Sequence, residues 1–281
     1  MATIKSLFST LLDAYTKNKE LLSVANNAGA HNGIFRGIDL TTKYTEAQIS
    51  AKIQAGDFSD LYIGDYIPKT LTIDGTSVTS NWTIAHFNYY NRIGWTADGL
   101  ATGFEVNMPH VVLVPNNNLY YKGMNASNTT SGGYVGSRMH TEDMPKVATA
   151  LKNAFGSAHV IPFASYISTT VNTSIAAKSG GGWTGGVTPW GCAWTKCECR
   201  LMSESMVYGG QIHESSGWDA GEAKSRFALF TLNPESMSIR STWWSSGVAS
   251  SACFCHVSGG GNADAYNASY AYGVRPFFLY H

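Results

Sequence analysis

The chain has 281 residues, with 19 basic and 19 acidic side chains and a formal net charge of zero. That length suits one large domain, or one domain with an appendage, and it allows a substantial buried core. With only 14% charged residues and no Lys/Arg run, nucleic acid and anionic membrane surfaces are excluded as expected partners, whereas 29 Gly, 15 Tyr and 8 Trp suggest a loop-rich protein with polar, aromatic surfaces.

Met1-Ala2-Thr3-Ile4-Lys5 lacks the apolar core and cleavage site of a signal peptide. No run approaches the roughly 20 apolar residues of a membrane span, so no membrane insertion is expected. The product is therefore expected to be made in a cytoplasm without a signal peptide. Five cysteines agree with that compartment, because an odd number cannot pair completely within one chain.

Taken in chain order, Ile4, Phe8, Leu11, Tyr15, Leu22 and Ala25 fall on alternating four- and three-residue steps, with Asn18 interrupting the apolar series. This heptad seam supports two readings. One is a short coiled coil joining protomers, with three the favoured number; the other is an amphipathic helix packed on its own domain. Asn26-Asn27-Ala28-Gly29 breaks the helix. A second helix is marked by the capping box Thr45-Glu46-Ala47-Gln48, by Ile49 and Ile53 on one face, and by Gly56 as its stop. Residues 1–58 are read as a helical segment for oligomerisation or attachment, and residues 59–281 as the main domain.

Within that domain, 61–67, 82–90 and 110–115 read as strands, being rich in β-branched and aromatic residues. A helix is predicted over 141–155, capped by Thr141, with Pro145 in its first turns, Val147, Leu151 and Phe155 as the buried stripe, and Gly156 at its end. Ser179 to Gly186 is glycine-rich and expected to be flexible. Leu201 to Tyr208 reads as helix passing into strand, Phe227 to Phe230 as a short buried run, and Trp243-Trp244 as the start of a C-terminal sheet.

Residues 243–276 are the most informative stretch. Between Trp243-Trp244 and Gly273-Val274-Arg275-Pro276 almost every side chain is small, hydroxylated, amide or tyrosyl. Tyrosine provides large amphipathic contact area at low entropy cost, and Ser, Asn and Gly add adaptable hydrogen bonding. On strands, an outward set is free to vary while the inward set holds the fold.

Several segments together carry a family resemblance: 60–66 (Asp60-Leu61-Tyr62-Ile63-Gly64-Asp65-Tyr66), Trp82-Thr83-Ile84-Ala85, and His110-Val111-Val112-Leu113-Val114-Pro115. Further ones are Gly132-Gly133-Tyr134-Val135-Gly136-Ser137, Phe155-Gly156-Ser157-Ala158-His159-Val160, Val207-Tyr208-Gly209-Gly210 and Tyr272-Gly273-Val274-Arg275-Pro276. Over residues 33–278 the chain resembles a family of bacteriophage and prophage proteins of gut bacteria. These are similar to C-type-lectin-fold variable proteins of diversity-generating retroelements, of which the phage major tropism determinant is the best known. The resemblance implies an α+β, C-type lectin fold, the fold also of the formylglycine-generating enzyme, to which the heptad pattern adds an N-terminal helical appendage. It implies a receptor-binding variable protein on the virion, in tail or head surface, that binds a bacterial surface protein or glycan and neighbours other virion proteins. The alternative is a structural virion component, a head decoration or tail protein, whose lectin-fold face packs on other virion proteins.

Carried over by position, the implied display residues are Ser245, Ser246, Ser250, His256, Ser258, Asn262, Asp264, Tyr266, Asn267, Tyr270 and Tyr272. Trp244, Phe254, Val257, Val274 and Pro276 match scaffold positions. Ser245-Ser246-Gly247 departs from the Leu-Arg-Asp-like segment of relatives.

No enzyme and no cofactor is expected. The eight histidines show no His-Glu-x-x-His pattern, and no Gly-x-Ser-x-Gly elbow is present. His213-Glu214 near Asp219 reads as a polar loop. Cys197-Glu198-Cys199 and Cys253-Phe254-Cys255 would supply four sulfurs to zinc only if their strands were neighbours, and buried thiols are the simpler reading. The loop motifs of calcium-dependent sugar binding are absent from the sequence.

Overall fold

The computed structural model describes residues 10–15, 31–91, 105–168, 192–214 and 226–281. Ile4, Phe8, Leu22 and Ala25 of the heptad series, and the 179–186 segment, lie outside them. Residues 10–15 are helical, and Leu11 and Tyr15 of the seam are exposed at 68% and 65%.

Local chemistry sets the first elements of the main body. The helix Glu46–Gln54 carries the predicted capping box: Gln48 N–H donates to Thr45 Oγ1 at 3.3 Å, and Thr45 N–H donates to Gln48 Oε1 at 2.9 Å. Its face turns Ile49 and Ile53 fully into the core, beside Leu40 and Phe58. Residues 31–58 therefore pack with the strands that follow, to which Phe35 and Asp39 are also bridged at Ile63 and Tyr66.

Strands β1 (Tyr66–Ile73) and β2 (Thr76–Phe87) form an antiparallel hairpin. Its two-residue turn, Asp74-Gly75, has φ of 49° and 79°, the mirror-image turn whose twist matches the flanking strands. Strand pairing begins at Tyr66, later than the predicted 61. Asp60 and Gly64 take positive φ, and the buried Asp65 carboxylate draws in the N–H groups of Ile38 and Tyr62 and the Arg36 guanidinium. Those bonds fold the 60–65 segment into a turn.

The first sheet continues through β3 (Val111–Pro115) to the last strand, β13 (Pro276–Tyr280), which also pairs β5 (Val160–Ile161) and β8 (Cys199–Leu201). The helix Met144–Phe155 covers it, with Val147 and Leu151 fully buried and Phe155 packed edge-on to Trp82 at 5.9 Å. Gly156, at φ 90°, follows as predicted. Thr141 is not its cap: Thr141 Oγ1 donates to Ser137 O at 3.0 Å, and Met139–Asp143 form a π-helical turn leading into the helix. The order predicted for 201–208 is also reversed, since β8 precedes the helix Glu204–Tyr208. Ser203 caps that helix by accepting from Met206 N–H at 3.3 Å. Phe227 and Phe230 are fully buried, around a second short helix, Ala228–Leu232.

The second sheet has the order β11 (Ala263–Asn267), β10 (Cys253–Val257), β9 (Trp243–Val248), β12 (Tyr272–Val274) and β4 (Tyr120–Lys122). A separate ribbon pairs β6 (Phe163–Ser168) with β7 (Cys192–Cys197). The architecture is thus α+β. Arg275 joins the two large sheets where β12 passes into β13. Its buried guanidinium donates to Pro115 O at 2.8 Å and Ser236 O at 2.9 Å and lies 5.0 Å from the Trp243 ring. Burial lowers its pKa to about 9. At Gly273 only hydrogen fits, because a β-carbon would lie 2.0 Å from the Asn118 side chain.

Candidate functional site

The C-terminal sheet ends in an edge strand, β11, exposed or half-buried at every position. Asp264 lies directly across from His256, and Tyr266 across from Phe254, so period-two geometry puts these four side chains on one face. The chain then turns tightly. Tyr270 N–H donates to Asn267 O at 3.0 Å, and buried Ala268 exchanges backbone bonds with Ala252 and Asn125. Asn128 Oδ1 accepts from both the backbone and the hydroxyl of Ser269, at 3.2 and 2.7 Å. That staple returns Tyr270 to the face it shares with Tyr266 and leads the chain into β12 at Tyr272.

Three tyrosines meet there. Ring centroids lie 5.0 Å apart for Tyr266 and Tyr270, 4.8 Å for Tyr270 and Tyr272, and 5.7 Å for Tyr266 and Tyr272. Tyr272 is half-buried against His256 at 4.7 Å and Trp244 at 4.9 Å, whereas Tyr266 and Tyr270 are 43% and 51% exposed. Trp244 is fully buried and donates from Nε1 to Lys122 O at 2.8 Å, which fixes the floor of the cluster. Burial lowers the His256 pKa, opposed by Asp264, whose Oδ2 is 3.9 Å from Nε2. The Tyr272 phenol is raised, chiefly by burial and then by its acidic and phenolic neighbours.

The implied display residues divide. Asn262, Asp264, Tyr266, Asn267 and Tyr270 are exposed, with Tyr272 half-buried beside them. Ser250 and Ser258 are half-buried and spend their hydroxyls on turns, accepting from Cys253 N–H at 3.1 Å and from Asn262 N–H at 3.1 Å. Ser245, Ser246 and His256 are 1%, 4% and 4% exposed, so the expectation that they face solvent does not hold. The reason is that all six residues of β9 are buried, covered on both faces. Ser246 accepts from the buried Arg200 guanidinium at 2.8 Å, and its N–H donates to Met202 O. The five implied scaffold residues, Trp244, Phe254, Val257, Val274 and Pro276, are all buried.

Asn128 and Lys122, which hold the cluster from a distant part of the chain, carry no sequence signal. They act through one amide oxygen and one backbone carbonyl.

Other clusters lie away from this face. Glu204 is buried and accepts the N–H groups of Ile212, His213 and Glu214, which makes the 212–214 turn a carboxylate-held loop; Asp219 lies outside the described residues. Cys253 and Cys255 lie in the second sheet, Cys197 on the separate ribbon and Cys199 in the first, so the two Cys-x-Cys pairs are not on neighbouring strands. Among the described residues no group of three or more His, Cys, Asp and Glu is placed to hold a metal ion. A cavity of about 230 Å³ between the β1–β2 hairpin and β4 holds Lys122 and Lys146, already paired with Asp143 and Asp74 at 2.5 and 2.7 Å. No helix among the described residues is long and apolar enough to cross a membrane. Compared with protein-family models, with curated proteins and with solved structures, the chain finds no match in any of the three.

Proposed function

We propose that this chain is a bacteriophage receptor-binding protein of the variable, C-type-lectin-fold kind, which attaches to a bacterial surface protein or glycan and works by binding, with no catalytic step. The observation that carries the reading is the exposed tyrosine cluster on a fixed floor. Tyr266 and Tyr270 are 43% and 51% exposed, while Tyr272 beside them packs on the fully buried Trp244 at 4.9 Å. Large exposed aromatics fixed by a rigid support are what binding hot spots use. The α+β body, with its small C-terminal sheet, supports the lectin-fold reading. In this reading the contact set is Asn262, Asp264, Tyr266, Asn267, Tyr270 and Tyr272, and Ser245, Ser246 and His256 belong to the support.

Host-cell binding tests it. The Tyr266→Ala/Tyr270→Ala variant is expected to lose about tenfold or more in binding to host cells, measured by flow cytometry of labelled protein. Its melting temperature should stay close to that of the unsubstituted chain, because both rings are exposed. Unchanged cell binding, with the same variant failing to join the virion, would favour the structural-component reading instead. The exposed Leu11 and Tyr15 of the heptad series support presentation as a trimer, in which several weak faces act together. Sedimentation equilibrium of the full chain tests this, and a monomer at micromolar concentration would end it.

A further inference from the structure

The tyrosine cluster has a charge character that restricts its ligand. Asp264 projects beside the rings with its side chain 65% exposed, and its only ion-pair neighbour among the described residues is His256. Burial lowers the pKa of that histidine, which disfavours its charged form. Among the described residues, every cation seated over a ring lies elsewhere, on Tyr44, Tyr62, Phe155, Tyr134, Phe230 or Trp243. Among the described residues no Lys or Arg is seated over the Tyr266 or Tyr270 ring, and none pairs with the adjoining carboxylate.

An anion would meet Asp264 with no compensating group. A purely apolar ligand would strip water from that carboxylate without pairing it, a cost that opposes binding. A cationic group of low hydration gains from both features: the negative ring faces attract it, and Asp264 supplies the counter-charge. We propose that the cluster formed by Tyr266, Tyr270, Tyr272 and Asp264 binds an alkylammonium group. The location of this ligand on a host surface rests on the receptor-binding reading; the chemistry of the group rests on the ring and carboxylate geometry alone. Two sources share that chemistry, a trimethylammonium head group and a lysine side chain.

The test is a titration of the full chain, read by the NMR shifts of the tyrosine ring protons, with choline, butylammonium and 3,3-dimethylbutan-1-ol, the uncharged isostere of choline. Saturable binding of an ammonium probe is expected, with the isostere about tenfold weaker or more. Asp264→Asn and Tyr270→Ala should each weaken the ammonium probe by about three- to tenfold. Both positions are exposed, and an unchanged melting temperature checks that each variant folds. Choline binding more tightly than butylammonium assigns a trimethylammonium head group, and the reverse order assigns a lysine side chain. Equal binding of the isostere, or no saturable shift with either ammonium, overturns the proposal. If both ammonium probes fail while Tyr266→Ala/Tyr270→Ala still loses host cells, the ligand assignment falls and the receptor-binding reading stands. If the probes bind and the variant keeps its host cells, the ammonium site stands and the receptor-binding reading falls.

Discussion

Tyr270 and Phe254 show how one stretch of chain holds two energetic classes of aromatic side chain. Phe254 is fully buried between β9 and β11, across from Tyr266 on one side and Val248 on the other. Truncating it removes apolar contact and leaves a cavity, so Phe254→Ala is expected to cost about 3–5 kcal/mol. Tyr270 is half in water, and Tyr270→Ala is expected to cost under about 1 kcal/mol. Urea unfolding of both variants measures the contrast, and equal losses would remove the distinction between support and contact set. His256 occupies the boundary. The family resemblance implies it as a display residue, yet it is buried, T-shaped against Trp244 at 6.0 Å, and its Nδ1 has no hydrogen-bond partner among the described residues.

At the scale of elements, the best-read pieces are those whose determinants lie within four or five residues. The Glu46–Gln54 helix is one, because Thr45 and Gln48 satisfy each other's backbone donors locally. Thr45→Ala leaves the first-turn Gln48 N–H without that acceptor and is expected to cost about 1 kcal/mol in thermal or chemical unfolding. A loss near zero would show that tertiary packing of Ile49 and Ile53 alone holds the helix. The edge strand β11 is managed differently. Asp264 Oδ1 accepts the Ala265 N–H at 2.8 Å, which occupies a backbone donor and places charge on the rim, and both features discourage pairing with another chain. The predicted strand over 61–67 begins only at Tyr66, because Asp65 interrupts its apolar run and its carboxylate gathers donors from residues 36, 38 and 62.

For the molecule as a whole, buried histidines set the acid limit of the fold. His110 is fully buried; its Nε2 accepts Tyr90 N–H at 3.0 Å, and its Nδ1 donates to Met108 O at 2.9 Å. His86 Nδ1 accepts Ala228 N–H at 3.1 Å. A nitrogen that accepts must be unprotonated, and burial pushes both groups down to about 4 from an ordinary 6.5. The unfolded chain takes up these protons near pH 6.5, whereas the folded chain resists until about 4. Stability is therefore complete above pH 6.5 and falls as pH drops towards 4, by up to roughly 1.4 kcal/mol per pH unit for each group. Urea midpoints across that range measure the slope, and His110→Gln should flatten it. An unchanged slope in that variant would move the acid sensitivity to other groups.

The sequence by itself determined the features that depend on near neighbours. These include the capping box at Thr45, the stripe Val147, Leu151 and Phe155, and the glycine stop at 156. Tertiary structure decided which faces water reaches. Alternation assigns a side chain to one face of a strand, but whether that face is covered depends on segments far away in sequence. Ser245 and Ser246 are neighbours on β9 and so point to opposite faces, and both are buried because that strand is covered on both sides. Arg200 meets Ser246 across 46 positions, Arg275 reaches Pro115 across 160, and Asn128 fixes Ser269 across 141. No local pattern encodes such pairs, because each is selected by the packing of two sheets rather than by spacing along one. The gathering of Tyr266, Tyr270 and Tyr272 into one cluster has the same origin: composition supplied the rings, and the turn stapled by Ala268 and Asn128 brought them together.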